Sequence, residues 1–75
     1  MPYIEIKAYS KDEATKKKVA EEIKKVFLEN WGCPESAITV GIKEYTPDEW
    51  QKEVREGDIE RDMSRVYILE GKVTK

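Results

Sequence analysis

Proline at position 2, directly after the initial methionine, is the residue with the most chemistry to offer. A small residue there lets the methionine be trimmed, and the new N-terminus is then a prolyl secondary amine. An ordinary α-amino group titrates near ~7.7–8. Burial and neighbouring cations both favour its neutral form and lower that value toward working pH. A neutral amine fixed in a ring at the start of a strand is a positioned base, and proton transfer needs a base whose pKa matches the pH. The same dipeptide is also an acceptable way to begin a strand, where proline is tolerated. Other chemistry is scarce. The chain has no histidine and one cysteine, Cys33. A His/Cys zinc cage, a His-based triad and an internal disulfide are therefore excluded. Cys33 has no assignable base or cation and reads as a packing residue at a helix end. Arg61 and Arg65, in the C-terminal tail, are candidate anion anchors.

The elements that must position Pro2 are legible from periodicity. Residues 3–9 alternate, with Ile4, Ile6 and Ala8 on one face and Tyr3, Glu5, Lys7 and Tyr9 on the other, which predicts a half-buried strand. Ser10-Lys11-Asp12-Glu13 fits a capping box with Ser10 as the cap. Val19, Ile23, Val26, Phe27 and Trp31 then recur at spacings of three and four, the stripe of an amphipathic helix, with Glu21–Lys25 a pair on its wet side. Gly32 ends that helix and Pro34 cannot continue it. Residues 37–45 alternate again, and Tyr45 falls with Thr39, Gly41 and Lys43 on the face away from the helix. Strand, helix, strand is the β-α-β unit with parallel strands. Thr46-Pro47-Asp48-Glu49 signals a second start, with Thr as cap and Pro at the first helical position. A short helix to about Arg55 follows, with Trp50 and Val54 inward and Gly57 as its stop. Residues 66–69 form an apolar run suited to a strand on this sheet or on a partner subunit.

Residues 1–75 thus make one small α/β domain, and small domains bury a modest fraction of their surface. Hydrophobic residues are 39% of the chain and charged ones 40%, so the core of one copy is thin. A two-stranded sheet is not stable alone and leaves both edges open. Self-association, as a homodimer or a trimer of dimers, is the expected remedy. Tyr3, Tyr9 and Tyr45 are expected to fill the face between subunits. The net charge of −2 lacks the basic excess of a nucleic-acid module. Lys16, Lys17 and Lys18 read as a solvated helix face, flanked as they are by glutamates. No apolar run is long enough to span a membrane, and the free cysteine fits a reducing cytoplasm.

Pro2-Tyr3-Ile4-Glu5-Ile6-Lys7, the helix-ending Trp31-Gly32-Cys33-Pro34, and Ile38-Thr39-Val40 leading to Thr46-Pro47-Asp48-Glu49-Trp50 together resemble the tautomerase superfamily. Within it they are similar to the 4-oxalocrotonate tautomerase family, particularly its small dimer-forming members. The likeness covers about residues 2–55. It implies a cofactor-independent isomerase that moves a proton between enol and keto forms of small 2-keto carboxylates. Pro2 matches the general base/acid of that family. Lys11 stands where a carboxylate-binding arginine is typical, and a lysine is a point charge, not a bidentate fork. Thr39 stands where a second arginine polarises the substrate carbonyl. Threonine cannot neutralise enolate charge, so a monoacid enol such as an arylenolpyruvate suits the site better than a diacid. Trp50 matches an aromatic wall beside the proline, although its spacing to Val54 also reads as plain core.

Two other readings stand beside this one. A hydratase- or dehalogenase-type relative uses the same proline to activate water, and needs a positioned carboxylate such as Glu5 or Glu44. A non-catalytic oligomeric module is the outcome if Met1 is retained, because the prolyl nitrogen is then a tertiary amide with no basicity.

Overall fold

Alternation at the start of the chain becomes a strand, β1 (Tyr3–Tyr9), in the computed structural model, which describes all of residues 1–75. A helix, α1 (Glu13–Asn30), crosses back, a 3-10 turn follows at Glu35–Ala37, and β2 (Thr39–Tyr45) lies parallel to β1. The register sets Tyr3 against Thr39 and Tyr9 against Tyr45. The expected α/β fold with a parallel β-α-β unit is present. The second strand starts two residues later than its alternation suggests, because Ala37 belongs to the 3-10 turn.

The Thr39 N–H donates to the Pro2 carbonyl at 3.1 Å. In a parallel pair, successive residues turn their backbone groups alternately toward and away from the partner strand. Pro2, Ile4, Ile6 and Ala8 therefore bond toward β2, and Tyr3, Glu5, Lys7 and Tyr9 face the open edge of β1. The same alternation puts Ile4, Ile6 and Ala8 under α1. Tyr3 lies over β2, where a Cβ at Gly41 would come within 3.3 Å of its hydroxyl oxygen. A side chain at position 41 would crowd that ring.

The cap of α1 is Asp12, not Ser10. Asp12 accepts from the Thr15 N–H at 2.9 Å and from the Thr15 hydroxyl at 2.8 Å. The Glu44 carboxylate takes the Lys11 N–H at 2.9 Å, which occupies the backbone donor between Ser10 and Asp12 and starts the helix later. Gly32, at φ +75, sits just past the Trp31 cap, in the left-handed conformation expected of it. Lys25 pairs with Glu22 at 3.5 Å instead of Glu21.

After β2, Thr46 and Glu49 form a complete capping box with Pro47 at the helix start, as the sequence signals. The α-turn α2 (Pro47–Glu49) runs into a π-helical stretch, Trp50–Ile59, which passes Gly57 without stopping. Bonds from residue i to i+5 carry it. At its end the Glu60 N–H reaches the Arg55 carbonyl at 2.9 Å. This helix covers part of the sheet face opposite α1. Val54 and Tyr45 are the only two buried residues, each 6% exposed. Tyr45 therefore packs inside its own chain and is unavailable to a subunit face.

Residues 68–73 form a separate hairpin, β3 (Ile68–Leu69) and β4 (Lys72–Val73), instead of joining the main sheet. Its two-residue turn needs positive φ at both positions, which Glu70 (+50) and Gly71 (+82) supply. Arg55 bonds Glu60 and Glu70, each at 2.9 Å, and so ties the turn to the second helix. No helix is long and apolar enough to cross a membrane. No residue of α1 is buried, and Val26 and Trp31 are 53% and 66% exposed.

Helix starts should answer to substitution as these contacts dictate. Thr46→Ala is expected to cost about 1 kcal/mol, the usual value of a lost cap. Asp12→Ala should lower the urea midpoint while Ser10→Ala leaves it unchanged. Equal effects at positions 10 and 12 in urea titrations would contradict the assigned cap.

Candidate active site

Pro2 and Lys11 lie beyond opposite ends of β1, which at seven residues and ~3.3 Å per residue is ~20 Å long. Pro2 is half-buried, and the Met1 before it is fully exposed. Alternation assigns Pro2 to the α1 side of the sheet and Thr39 to the other side. The two are joined by a backbone hydrogen bond. Trp50 is at the Lys11 end. Its indole N–H donates to the Lys7 carbonyl at 3.2 Å, on the open edge of β1. Its ring meets Tyr9 edge-on with centroids 6.0 Å apart, and Lys7, Ala8, Tyr9 and Trp50 share a shallow hollow. One protomer thus brings Lys11 and Trp50 to one end and leaves Pro2 at the other.

A cavity of about 290 Å³ opens between β1 and the first turns of α1. Ile6, Ala8, Val19 and Ile42 give it an apolar wall, and Lys11 and Lys16 give it cations. The Lys11 ammonium makes no ion pair and no hydrogen bond. Lys16 is different. Its side chain is 19% exposed and its ammonium lies 2.7 Å from Glu13 and 3.2 Å from Glu44. Those hydrogen bonds raise its pKa above the usual lysine value, Glu13 contributing most. Lys16 is therefore no part of a solvated face. The signal that could have revealed it is its position one turn before Val19, on the apolar stripe itself.

Glu44 and Glu5, the two carboxylates suited to positioning water, are both engaged. The Lys11 N–H, followed by Lys16, holds the Glu44 carboxyl below the usual range. Glu5 accepts from the Tyr3 hydroxyl at 2.5 Å, a bond that raises the tyrosine pKa.

Arg61 and Arg65 are on the second-helix side, away from the cavity. Arg65 pairs with Asp62 at 3.3 Å, and both arginines lie close enough to Asp58 to help depress its pKa. The main cause there is Lys7, whose ammonium bonds Asp58 at 2.7 Å. Lys7 is thereby clamped twice, through its carbonyl by Trp50 and through its side chain by Asp58. Sequence spacing gives no hint of that pair, because its members are joined only when the second helix folds over the sheet.

The fold fits what the comparisons find. Residues 2–56 match the family model described as tautomerase enzyme. Over 61 residues the chain is 31% identical to tautomerase PptA of Cronobacter sakazakii, covering 79% of this chain and 80% of that protein. The chain belongs to the tautomerase family, whose members are isomerases.

Acid should unpick this network. Hydrogen bonds depress the folded pKa of Asp12, Glu44, Glu49, Asp58 and Asp62. A carboxyl with a depressed folded pKa stabilises the fold above its unfolded value, near ~4, and stops doing so as pH falls through the folded one. The urea midpoint should hold steady down to about pH 5 and drop below about pH 4. Glu44→Gln should make that drop shallower. A midpoint indifferent to acid down to about pH 3 would contradict the assigned bonds.

Proposed function

We propose that this protein is a 4-oxalocrotonate-type tautomerase acting on small 2-keto carboxylates and their enols, with its site shared between two copies of the chain. After Met1 is trimmed, the neutral Pro2 nitrogen takes the enol hydroxyl proton and returns it to the adjacent carbon, leaving the keto acid. Lys11 holds the substrate carboxylate, and Trp50 with Tyr9 forms an aromatic wall. No metal or redox cofactor is needed to balance these steps.

The observation that carries this reading is the placement of Pro2 and Lys11 at opposite ends of a strand whose outer edge is open apart from the Lys7 carbonyl, which Trp50 bonds. Antiparallel pairing of β1 with the same strand of a second copy reverses residue order. It brings Lys11 of the partner subunit, with Trp50 of the partner subunit, to the Pro2 end. Pro2 and the cavity lie on the α1 side, and Tyr9, which lines both the cavity and the hollow beside Trp50, connects that face to Trp50. The exposed stripe of α1 also gains cover in such a four-stranded sheet, with both helices on one side. Thr39, on the other face, takes no part in this pairing, and Arg61 and Arg65 remain outside it. The hydratase-type reading is less well served, because Glu5 and Glu44 are already hydrogen-bonded.

Intact mass should show loss of Met1, and native mass spectrometry at micromolar concentration should show an oligomer. Trimmed protein should ketonise an arylenolpyruvate well above buffer, and Pro2→Ala should remain folded but turn over at least ~100-fold more slowly, the scale of a lost general base. Lys11→Ala should raise KM with little change in kcat. Mixing inactive Pro2→Ala with Lys11→Ala should restore about a quarter of wild-type activity at low substrate, since random pairing gives that share of intact shared sites. No recovery on mixing would falsify the shared site, and no ketonisation by trimmed wild type would leave a non-catalytic module.

A further inference from the structure

Two lysines line the cavity that offers Lys11 to a substrate, yet only one of them is free. The Glu44 carboxylate reaches from the end of β2 to the Lys11 N–H at 2.9 Å and to the Lys16 ammonium at 3.2 Å, through the same oxygen. Glu13 flanks Lys16 from the other side at 2.7 Å, but its own side chain is almost fully exposed. Exposed pairs of that kind are weakly coupled. Glu44 is the better sheltered of the two, and its depressed pKa keeps it charged at neutral pH.

We propose that Glu44 is a specificity-determining residue: by holding Lys16 it leaves Lys11 as the one uncompensated cation of the cavity, so the site selects monocarboxylate over dicarboxylate enols. This rests on Lys11 being the carboxylate anchor, and it assigns the selectivity to a residue that need not touch the substrate. A second carboxylate entering the cavity meets a lysine already neutralised and a glutamate of its own sign. An apolar tail meets Ile6, Ala8, Val19 and Ile42 instead. The bond to the Lys11 amide gives Glu44 a second, positioning role, because it fixes the loop from which the Lys11 side chain extends.

Glu44→Gln separates these roles, since the amide oxygen can still accept the Lys11 N–H while its charge is gone. The measurement is kcat/KM for an arylenolpyruvate and for the enol of 2-oxohexanedioate, with trimmed protein. Glu44→Gln should raise the diacid-to-monoacid ratio about three- to fivefold, the scale of one partly exposed charge interaction. Adding Lys16→Met to it should cancel the gain, and Lys16→Met alone should lower the ratio, because Glu44 then faces the second carboxylate without its partner. A ratio indifferent to Glu44→Gln overturns the proposal, as does a gain that survives Lys16→Met. So does a loss of selectivity from Lys16→Met alone, which needs no well-folded Glu44 variant. Lys11→Ala tells the two failures apart. If KM for both acids ignores it, the carboxylate anchor falls and takes this assignment with it. If KM responds to Lys11 but the ratio ignores Glu44, only the selectivity assignment falls.

Discussion

The hydrogen bond from the Thr39 amide to the Pro2 carbonyl ends the ladder that fixes the register of β1 against β2. A slip of one residue would turn every side chain of β1 to the other face. Ile4, Ile6 and Ala8 would leave α1, and Lys7 would lose the reach to Asp58 that docks the second helix. The same register decides which backbone groups of β1 point outward. It therefore determines both the hydrophobic layer and the edge left for another strand. Pro2 and Lys11 are separated by this strand, and the proposed shared site depends on its geometry.

A second constraint is the scarcity of interior. Two buried residues cannot support a large hydrophobic core, and the chain compensates with directional contacts at the margins. Asp12 caps α1, Thr46 and Glu49 cap the second helix, and Asp58 and Arg55 hold that helix to the sheet and to the hairpin. These are charge-assisted bonds between partly solvated groups, individually modest. Their placement matters more than their sum: each sits where an element begins or where two elements meet. That distribution explains how a chain so rich in charge forms a defined fold.

Periodicity made the β-α-β unit and its facing residues legible, because alternation and the three-four stripe are local properties of the sequence. The start at Thr46-Pro47 was equally plain, for the same reason. Ser10 and Asp12 both satisfy the local rules for the cap of α1, and the choice between them is made by Glu44, which is distant in sequence. The second helix runs past Gly57, where π-helical bonding overrides the usual meaning of a glycine. Alternation alone puts Tyr45 on a subunit face, whereas in the folded chain it is buried. Of the proposed site, Pro2, Lys11 and Trp50 carry signals in the sequence itself. The bond from Lys16 to Glu44 and the clamp on Lys7 do not, since both arise from contacts between elements.

The pairing of Tyr3 with Thr39 across the whole of α1 has a kinetic side. The strands cannot meet until the intervening chain is shortened, and a preformed helix does this by replacing a long flexible loop with a compact rod. Contacts that span such separations form slowly. The turn at Glu70-Gly71, closing its ladder over two residues, belongs to the opposite regime. Nascent chains should therefore acquire local helix and hairpin first and wait for sheet closure, with the outer rim of β1 exposed to other chains during that interval.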